Sequence, residues 1–375
     1  MNKIAVTLIS VIAISFVMAG CGAAKKLSKM RAYSLKFLDM KVIPSSLQFQ
    51  NTMVRGLSGI DYNPDLKEYY IMCDDRSERQ PSRYYTAQIT LNKYKIDSFW
   101  VTRVDSLKTD DGRIFPYRGS DPESIVYDRL SGFWVWANEG QRNITSNNIL
   151  QPTIRIVNRE ALVLDSFALP ERYRIYSYEK GSRDNGTLES IRFTPDYRSF
   201  WFLMEEPLYE DGPRITTDNN NTYLRMAGFD RFSKKQIAEY AYQPDKVATK
   251  PQPSTAYNIN GVSDMLFIDS TRFLVMERSY SSGVKGSVIK IFLANTRSAT
   301  NVINMPSLAN RTDVVPVEKK LLYNFSDLKF YIDNVEGITF GPKLPNGNRS
   351  VIFVSDDNFS PLQESQLYLF ELIEP

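Results

Sequence analysis

Acidic side chains recur at regular intervals along this 375-residue chain, next to short apolar runs. Asp74 and Asp75, Glu139, Glu205 and Glu206, Glu277, and Asp356 and Asp357 each lie at the end of such a run. Glu123, Glu189 and Glu336 each open one, with Asp121 and Asp333 close by. A guanidinium follows the acid in two places, at Arg76 and Arg278. Any one of these acids alone reads as a turn cap, and the repetition is what points to chemistry. Carboxylates that converge repel one another unless protons or cations offset them. A group of this kind suits a hard cation such as calcium, which takes only oxygen ligands. In this reading Glu123, Glu205, Glu336, Asp356, Asp75 and Glu277 supply metal ligands. Glu139 and Glu189 serve as catalytic carboxylates, able to share the ion or act as base, and Arg76 and Arg278 grip an anionic substrate.

The chain contains no histidine. A Ser-His-Asp or Cys-His mechanism is therefore excluded, as is an imidazole base or ligand. Zinc, which prefers nitrogen and sulfur, is a poor match. Of the two cysteines, Cys21 falls in a targeting segment, and Cys73 sits in the apolar run 69–73 as an expected buried, inert thiol. The balance of 46 basic and 43 acidic residues gives a formal charge of +3, with the basic residues scattered. No field exists to draw in nucleic acid.

The elements that position these acids form a repeat. Segments 57–62 and 71–76, 123–127 and 135–139, 189–193 and 202–206, 262–267 and 274–277, and 336–340 and 352–357 each read as two short β runs around a turn. The anchors Ser58, Ser124, Ser190, Ser263 and Gly337 are spaced by 66, 66, 73 and 74 residues. The turns carry hairpin residues such as Asn63, Pro64 and Asp65, or Pro345, Asn346 and Gly347. After most pairs comes another alternating pair, for example 85–91 with 96–101. Two hairpins per repeat make a four-stranded sheet, and sheets repeated at this period make an all-β propeller. Five blades can be counted, with a sixth, degenerate one in 285–335 as the alternative. The last repeat has only 366–372 after its hairpin, so 33–42 is expected to supply its outer strand. A ring closed by strands from both termini leaves no exposed sheet edge. Within a blade, the start of the inner strand and the end of the second lie at the same end, which brings the acids to one mouth of the central channel.

Taken together, 57–62 with Asp74 to Arg76, Glu123-Ser-Ile, Asn138-Glu-Gly, Glu189-Ser-Ile, and Glu336-Gly-Ile with 355–359 resemble the phytase-like family, described as "esterase-like activity of phytase". The resemblance runs from about residue 50 to 373. It implies an exported propeller with phosphoesterase or esterase activity on a small-molecule ester. The calcium-dependent propeller phytases have a motif order that is not found here, so phytate itself is not the expected substrate. The leading expectation is metal-assisted hydrolysis of a phosphate or carboxylic ester at the acidic mouth. A non-catalytic surface propeller binding a glycan, a peptide or a partner protein is the alternative, and a calcium-dependent sugar-lactone hydrolase a weaker one.

The N-terminus reads as an address. Met1 to Lys3, an apolar run 4–19 and then Gly20-Cys21 form a secretory signal. Met18-Ala-Gly-Cys21 resembles the lipobox of bacterial lipoproteins. That resemblance implies a signal peptide over 1–20, lipid on Cys21, a tether over 21–31 and a propeller over 32–375. The expected product is a monomer lipid-anchored in the cell envelope.

Overall fold

The computed structural model describes residues 32–143 and 148–375. The expected signal segment, Cys21 and the expected tether lie outside the described residues.

Five four-stranded antiparallel sheets form the ring. Blade 1 runs Leu57–Asn63, Glu68–Cys73, Arg83–Asn92 and Lys95–Ser106 from the axis outwards. Blade 2 uses Pro122–Asp128, Phe133–Asn138, Thr153–Val157 and Val163–Phe167, and blade 3 uses Ser190–Phe193, Ser199–Leu203, Leu224–Asp230 and Gln236–Tyr242. Blade 4 comprises Asn258–Phe267, Arg272–Ser281, Val288–Asn295 and Glu318–Asn324. Its outer two strands account for the β-like runs in 285–335, so there are five blades and not six. Blade 5 uses Asn334–Lys343, Arg349–Asp356 and Ser365–Ile373. Ser34–Ile43 completes it, pairing antiparallel with Ser365–Ile373 in a register that opposes Ser34 to Ile373 and Ile43 to Ser365. The expected closure by both termini is thus present; it covers the outer edge of Ser365–Ile373, and Ser34–Ile43 becomes the outermost strand of the blade.

Alternation within each strand sends apolar side chains to both faces of the blade, where they meet the neighbouring blade. Each of the five interfaces holds its own buried cluster. Ile71 and Tyr85 of blade 1 pack with Ile352 and Leu369 of blade 5. Tyr70 and Tyr84 meet Trp134 and Trp136. Phe167 lies stacked on Phe200 at 4.4 Å between centroids. Met226 faces Val275, and Met276 faces Phe353. Full burial of one such side chain is worth about 1.5–3 kcal/mol, so the ring is held mainly by these wedges. Cys73 belongs to one of them. It is fully buried, its thiol is pushed up by desolvation, and its Sγ donates to the Arg55 carbonyl at 3.1 Å.

The repeated anchors work at the axis, where five inner strands crowd together. Ser58 Oγ donates to the Glu123 carbonyl at 2.8 Å, and Ser190 Oγ to Asp264 Oδ1 at 3.1 Å, each joining different blades. Gly337 takes the anchor position in blade 5 because a Cβ there would lie 2.8 Å from the Ser58 carbonyl oxygen. The channel is correspondingly narrow.

Candidate functional site

In three blades the chain leaves the second strand in the same way. The amides of Asp74, Glu139 and Glu205 donate to the carbonyls of Gly56, Asp121 and Thr187, just ahead of the inner strands. This shared hydrogen bond sets three acids at one level. Blade 4 places Arg278 at the mouth instead, and blade 5 adds Glu336 and Asp356. Asp121 and Glu123 of blade 2 and Glu189 of blade 3 complete the cluster.

Asp121, Glu123 and Glu139 each offer an oxygen within 4.8 Å of the others, and so do Glu139, Glu189 and Glu205. Glu139 is common to both triads. All these residues are buried, with Glu123 and Glu189 keeping 8% and 7% exposure. Glu139 Oε1 accepts the Thr187 amide at 2.7 Å, and its Oε2 has no partner among the described residues. Glu205 Oε2 and Asp74 Oδ1 are equally unpartnered. Asp121 faces Arg76 Nε at 2.6 Å, but neither of its oxygens meets a donor in hydrogen-bonding direction. Two cations stand among these acids. Arg76 also reaches Asn185 Oδ1 at 2.7 Å. Arg278 bridges Glu205 at 2.9 Å, Glu336 at 3.0 Å and Asn334 Oδ1 at 2.7 Å, which leaves its buried Nε–H unclaimed.

The electrostatic consequence is uniform. Burial, and then the neighbouring carboxylates, hold Glu123, Glu139, Glu189, Asp74 and Asp356 well above the ordinary carboxylate range. Burial pushes Asp121 up to about 6, against the pull of Arg76. Glu205 and Glu336 are also raised by burial, with Arg278 opposing. Glu206, paired with Arg214 at 2.7 Å, is pushed up to about 8 by burial.

Two of the acids expected to be metal ligands stand apart from the mouth. Asp75 turns into blade 1, where its carboxylate accepts the amides of Glu78, Arg79 and Gln80 and pairs with Arg83 at 3.1 Å. Its neighbour Asp74 faces the mouth instead. Glu277 is engaged by Tyr242 Oη, the Asp245 amide, Asn260 Nδ2 and Lys319 Nζ. Both carboxylates are spent on local structure. Glu123, Glu139, Glu189, Glu205, Glu336, Asp356, Arg76 and Arg278 are brought together. Sequence reasoning did not assign Asp74 or Asp121 a place in the ligand set, although both lie within or beside the motifs.

Beside the mouth opens a cleft of about 770 Å³, lined by Arg278, Tyr280, Lys285, Tyr331 and Asn334. Below the mouth the channel is closed by Arg192, a residue of the repeat motif that sequence reasoning left without a role. Its guanidinium spans the axis, donating to the Ile60 carbonyl at 3.1 Å, the Ile338 carbonyl at 2.6 Å and Asp264 Oδ2 at 2.6 Å. Blades 1, 3, 4 and 5 are thereby tied together across the axis.

The donor set fits a hard cation. It is made of carboxylates, several with buried oxygens that have no partner among the described residues, which suits the all-oxygen coordination of calcium better than the nitrogen and sulfur preference of zinc. A family model described as "Phytase-like: Esterase-like activity of phytase" matches residues 52–359. No curated protein matches the chain. Among solved structures, the endo-arabinase from Bacteroides thetaiotaomicron VPI-5482 is similar at 11% identity, over 91% of this chain and 98% of that one, with a TM-score of 0.42. The soluble aldose sugar dehydrogenase from Escherichia coli in its apo form is similar at 10% identity, over 92% and 100% of the two chains, with a TM-score of 0.40.

Proposed function

The chain belongs to the phytase-like family, and we propose that its acidic mouth hydrolyses a small phosphate ester with the help of bound calcium. The observation that carries this reading is the pair of buried carboxylate triads sharing Glu139, in which one oxygen each of Glu139 and Glu205 has no partner among the described residues. Glu123, Glu139, Glu189, Glu205 and Asp121 would hold the ion, with Asp74, Glu336 and Asp356 close around them. Calcium there would offset the carboxylate repulsion and supply positive charge beside the ester oxygens.

The remaining work falls to side chains of this chain. Arg278 is oriented by Glu205, Glu336 and Asn334 and lines the adjoining cleft, where its positive charge would meet a phosphoryl oxygen. Lys285 in the adjoining cleft adds a second positive charge, which favours a phosphate over a neutral carboxylic ester. Glu189, 7% exposed at the mouth, would accept the proton of an attacking water once the ion offsets the burial and neighbouring carboxylates that otherwise hold its proton in place. Arg192 shuts the channel behind the reaction, so substrate enters and product leaves by the same opening.

Metal analysis of the purified protein should find calcium, and p-nitrophenyl phosphate should be turned over in a calcium-dependent way. p-Nitrophenyl acetate should be the poorer substrate, and excess chelator should stop the reaction. Undiminished turnover in chelator would remove the metal from the mechanism. Saturable binding of the ester without turnover would return the protein to a binding propeller.

We also propose that the protein is exported and carried by lipid on Cys21, from the lipobox-like residues 18–21. Cells fed a tagged palmitate should label the wild type and not Cys21→Ser. Unlabelled wild type would make residues 1–20 a plain signal peptide.

A further inference from the structure

The opposite end of the axis holds a second cavity, of about 260 Å³, that the hydrolysis does not use. Its inner end is Arg192, whose hydrogen-bonded Nη groups close the channel while Nε, on a side chain 3% exposed, has no partner among the described residues. Asp61 of blade 1 stands beside it, with Oδ2 accepting the Tyr127 amide at 2.8 Å. Inner strands of the blades add aromatics to the wall, Tyr62, Tyr127 and Phe193 among them. Tyr197 overhangs from the turn of blade 3, with a positive φ of 54° and its ring stacked on Phe193 at 5.4 Å. Its phenol is raised by burial and, next, by the Asp61 carboxylate, in keeping with a position over that acid.

The chemistry of the lining narrows the occupant. An anion would meet Asp61, and a cation would meet Arg192 with Arg129 and Arg349 at the rim. A carboxylate acceptor and tyrosine hydroxyls suit vicinal hydroxyl groups, while the aromatic walls suit the apolar face of a ring. The volume falls below the roughly 300–1,000 Å³ of most ligand pockets, which admits one ring rather than a chain. We propose that this basal cavity binds a neutral monosaccharide, with ring hydroxyls on Asp61 and the tyrosine hydroxyls and the ring against the aromatic walls. The site is separate from the acidic mouth and independent of any metal.

The test is titration of the full chain with D-glucose, D-galactose, D-mannose and N-acetylglucosamine in excess chelator, followed by calorimetry and by ligand-observed NMR. At least one sugar should bind saturably, and Glu189→Gln at the mouth should leave its affinity unchanged. Asp61→Asn should weaken it by at least tenfold. Tyr197→Gly, which suits the positive φ and so keeps the turn, should do the same even where Asp61→Asn fails to fold. No binding of any of the four sugars would overturn the proposal. So would binding that survives both basal substitutions or is lost in Glu189→Gln, since each places the sugar elsewhere.

Discussion

Glu139→Gln is expected to abolish calcium binding and to lower phosphate-ester turnover by ~10²–10⁴-fold, the range usual for loss of a positioned acid or base, while making the metal-free protein more stable. The three effects have one cause. Glu139 belongs to both triads, so its charge is the one that either ion position would use. Its backbone carbonyl accepts Thr187 Oγ1 at 2.7 Å and its Oε1 accepts the Thr187 amide at 2.7 Å. A glutamine keeps the shape and the Oε1 acceptor, so the mouth stays folded. What is lost is a group whose ionised form is disfavoured in the metal-free protein, first by burial and then by Asp121 and Glu205, so the gain in stability should be largest at the high end of the pH range, where Glu139 would otherwise have to ionise. Calorimetric titration with calcium, the ester assay and thermal unfolding in chelator read the three outcomes. Wild-type calcium affinity in the variant would take Glu139 out of any metal centre.

The stability of the metal-free protein should fall as pH rises from about 4 to 8, and calcium should remove that slope. Buried carboxylates whose folded pKa lies above the unfolded value bind more protons in the native state than in the unfolded chain. Stability then decreases with rising pH, by linkage. The benefit is fully present below the unfolded values and is lost as each group ionises in the fold. Asp121, raised to about 6, and Glu206, raised to about 8, mark the window, with Glu123, Glu139 and Glu189 moved in the same direction. A carboxyl that holds its proton tenfold more tightly in the fold than in the unfolded chain contributes about 1.4 kcal/mol, so several groups together make an effect visible in a denaturant midpoint. Calcium binds the ionised acids and releases their protons, so its stabilisation should grow with pH. Chelated protein whose midpoint rises from pH 5 to pH 8 would show that the acids are ionised and offset by other means.

Much of this molecule was legible in the sequence. The five copies of the strand-pair motif, their anchors and the terminal strand that closes blade 5 follow from alternation and spacing, because a propeller repeats one local solution around an axis. The gathering of acids at one end follows from the same repetition, since strand direction sets which end each acid occupies. The lack of histidine by itself removed imidazole from any chemistry, leaving carboxylates, Lys, Arg, Tyr, hydroxyls or a metal held by oxygen. The alternative of a sixth blade arose because Val288–Asn295 and Glu318–Asn324 are separated by a long connection, which hides that they pair with each other.

Only the tertiary structure decided which acids meet. Asp74 and Asp75 are adjacent and identical in type, yet one faces the mouth and the other caps a loop of its own blade. A shift of one residue in a strand reverses every side chain, and the register at a strand end depends on local contacts such as the Asp74 amide on the Gly56 carbonyl. Arg192 shows the same limit from the other side. Its position in the motif was plain, but its role as the plug comes from carbonyls of Ile60 and Ile338, more than a hundred residues away in either direction. The repeated acids therefore announced a mouth, and the ring alone selected the triads on Glu139 that could hold an ion there.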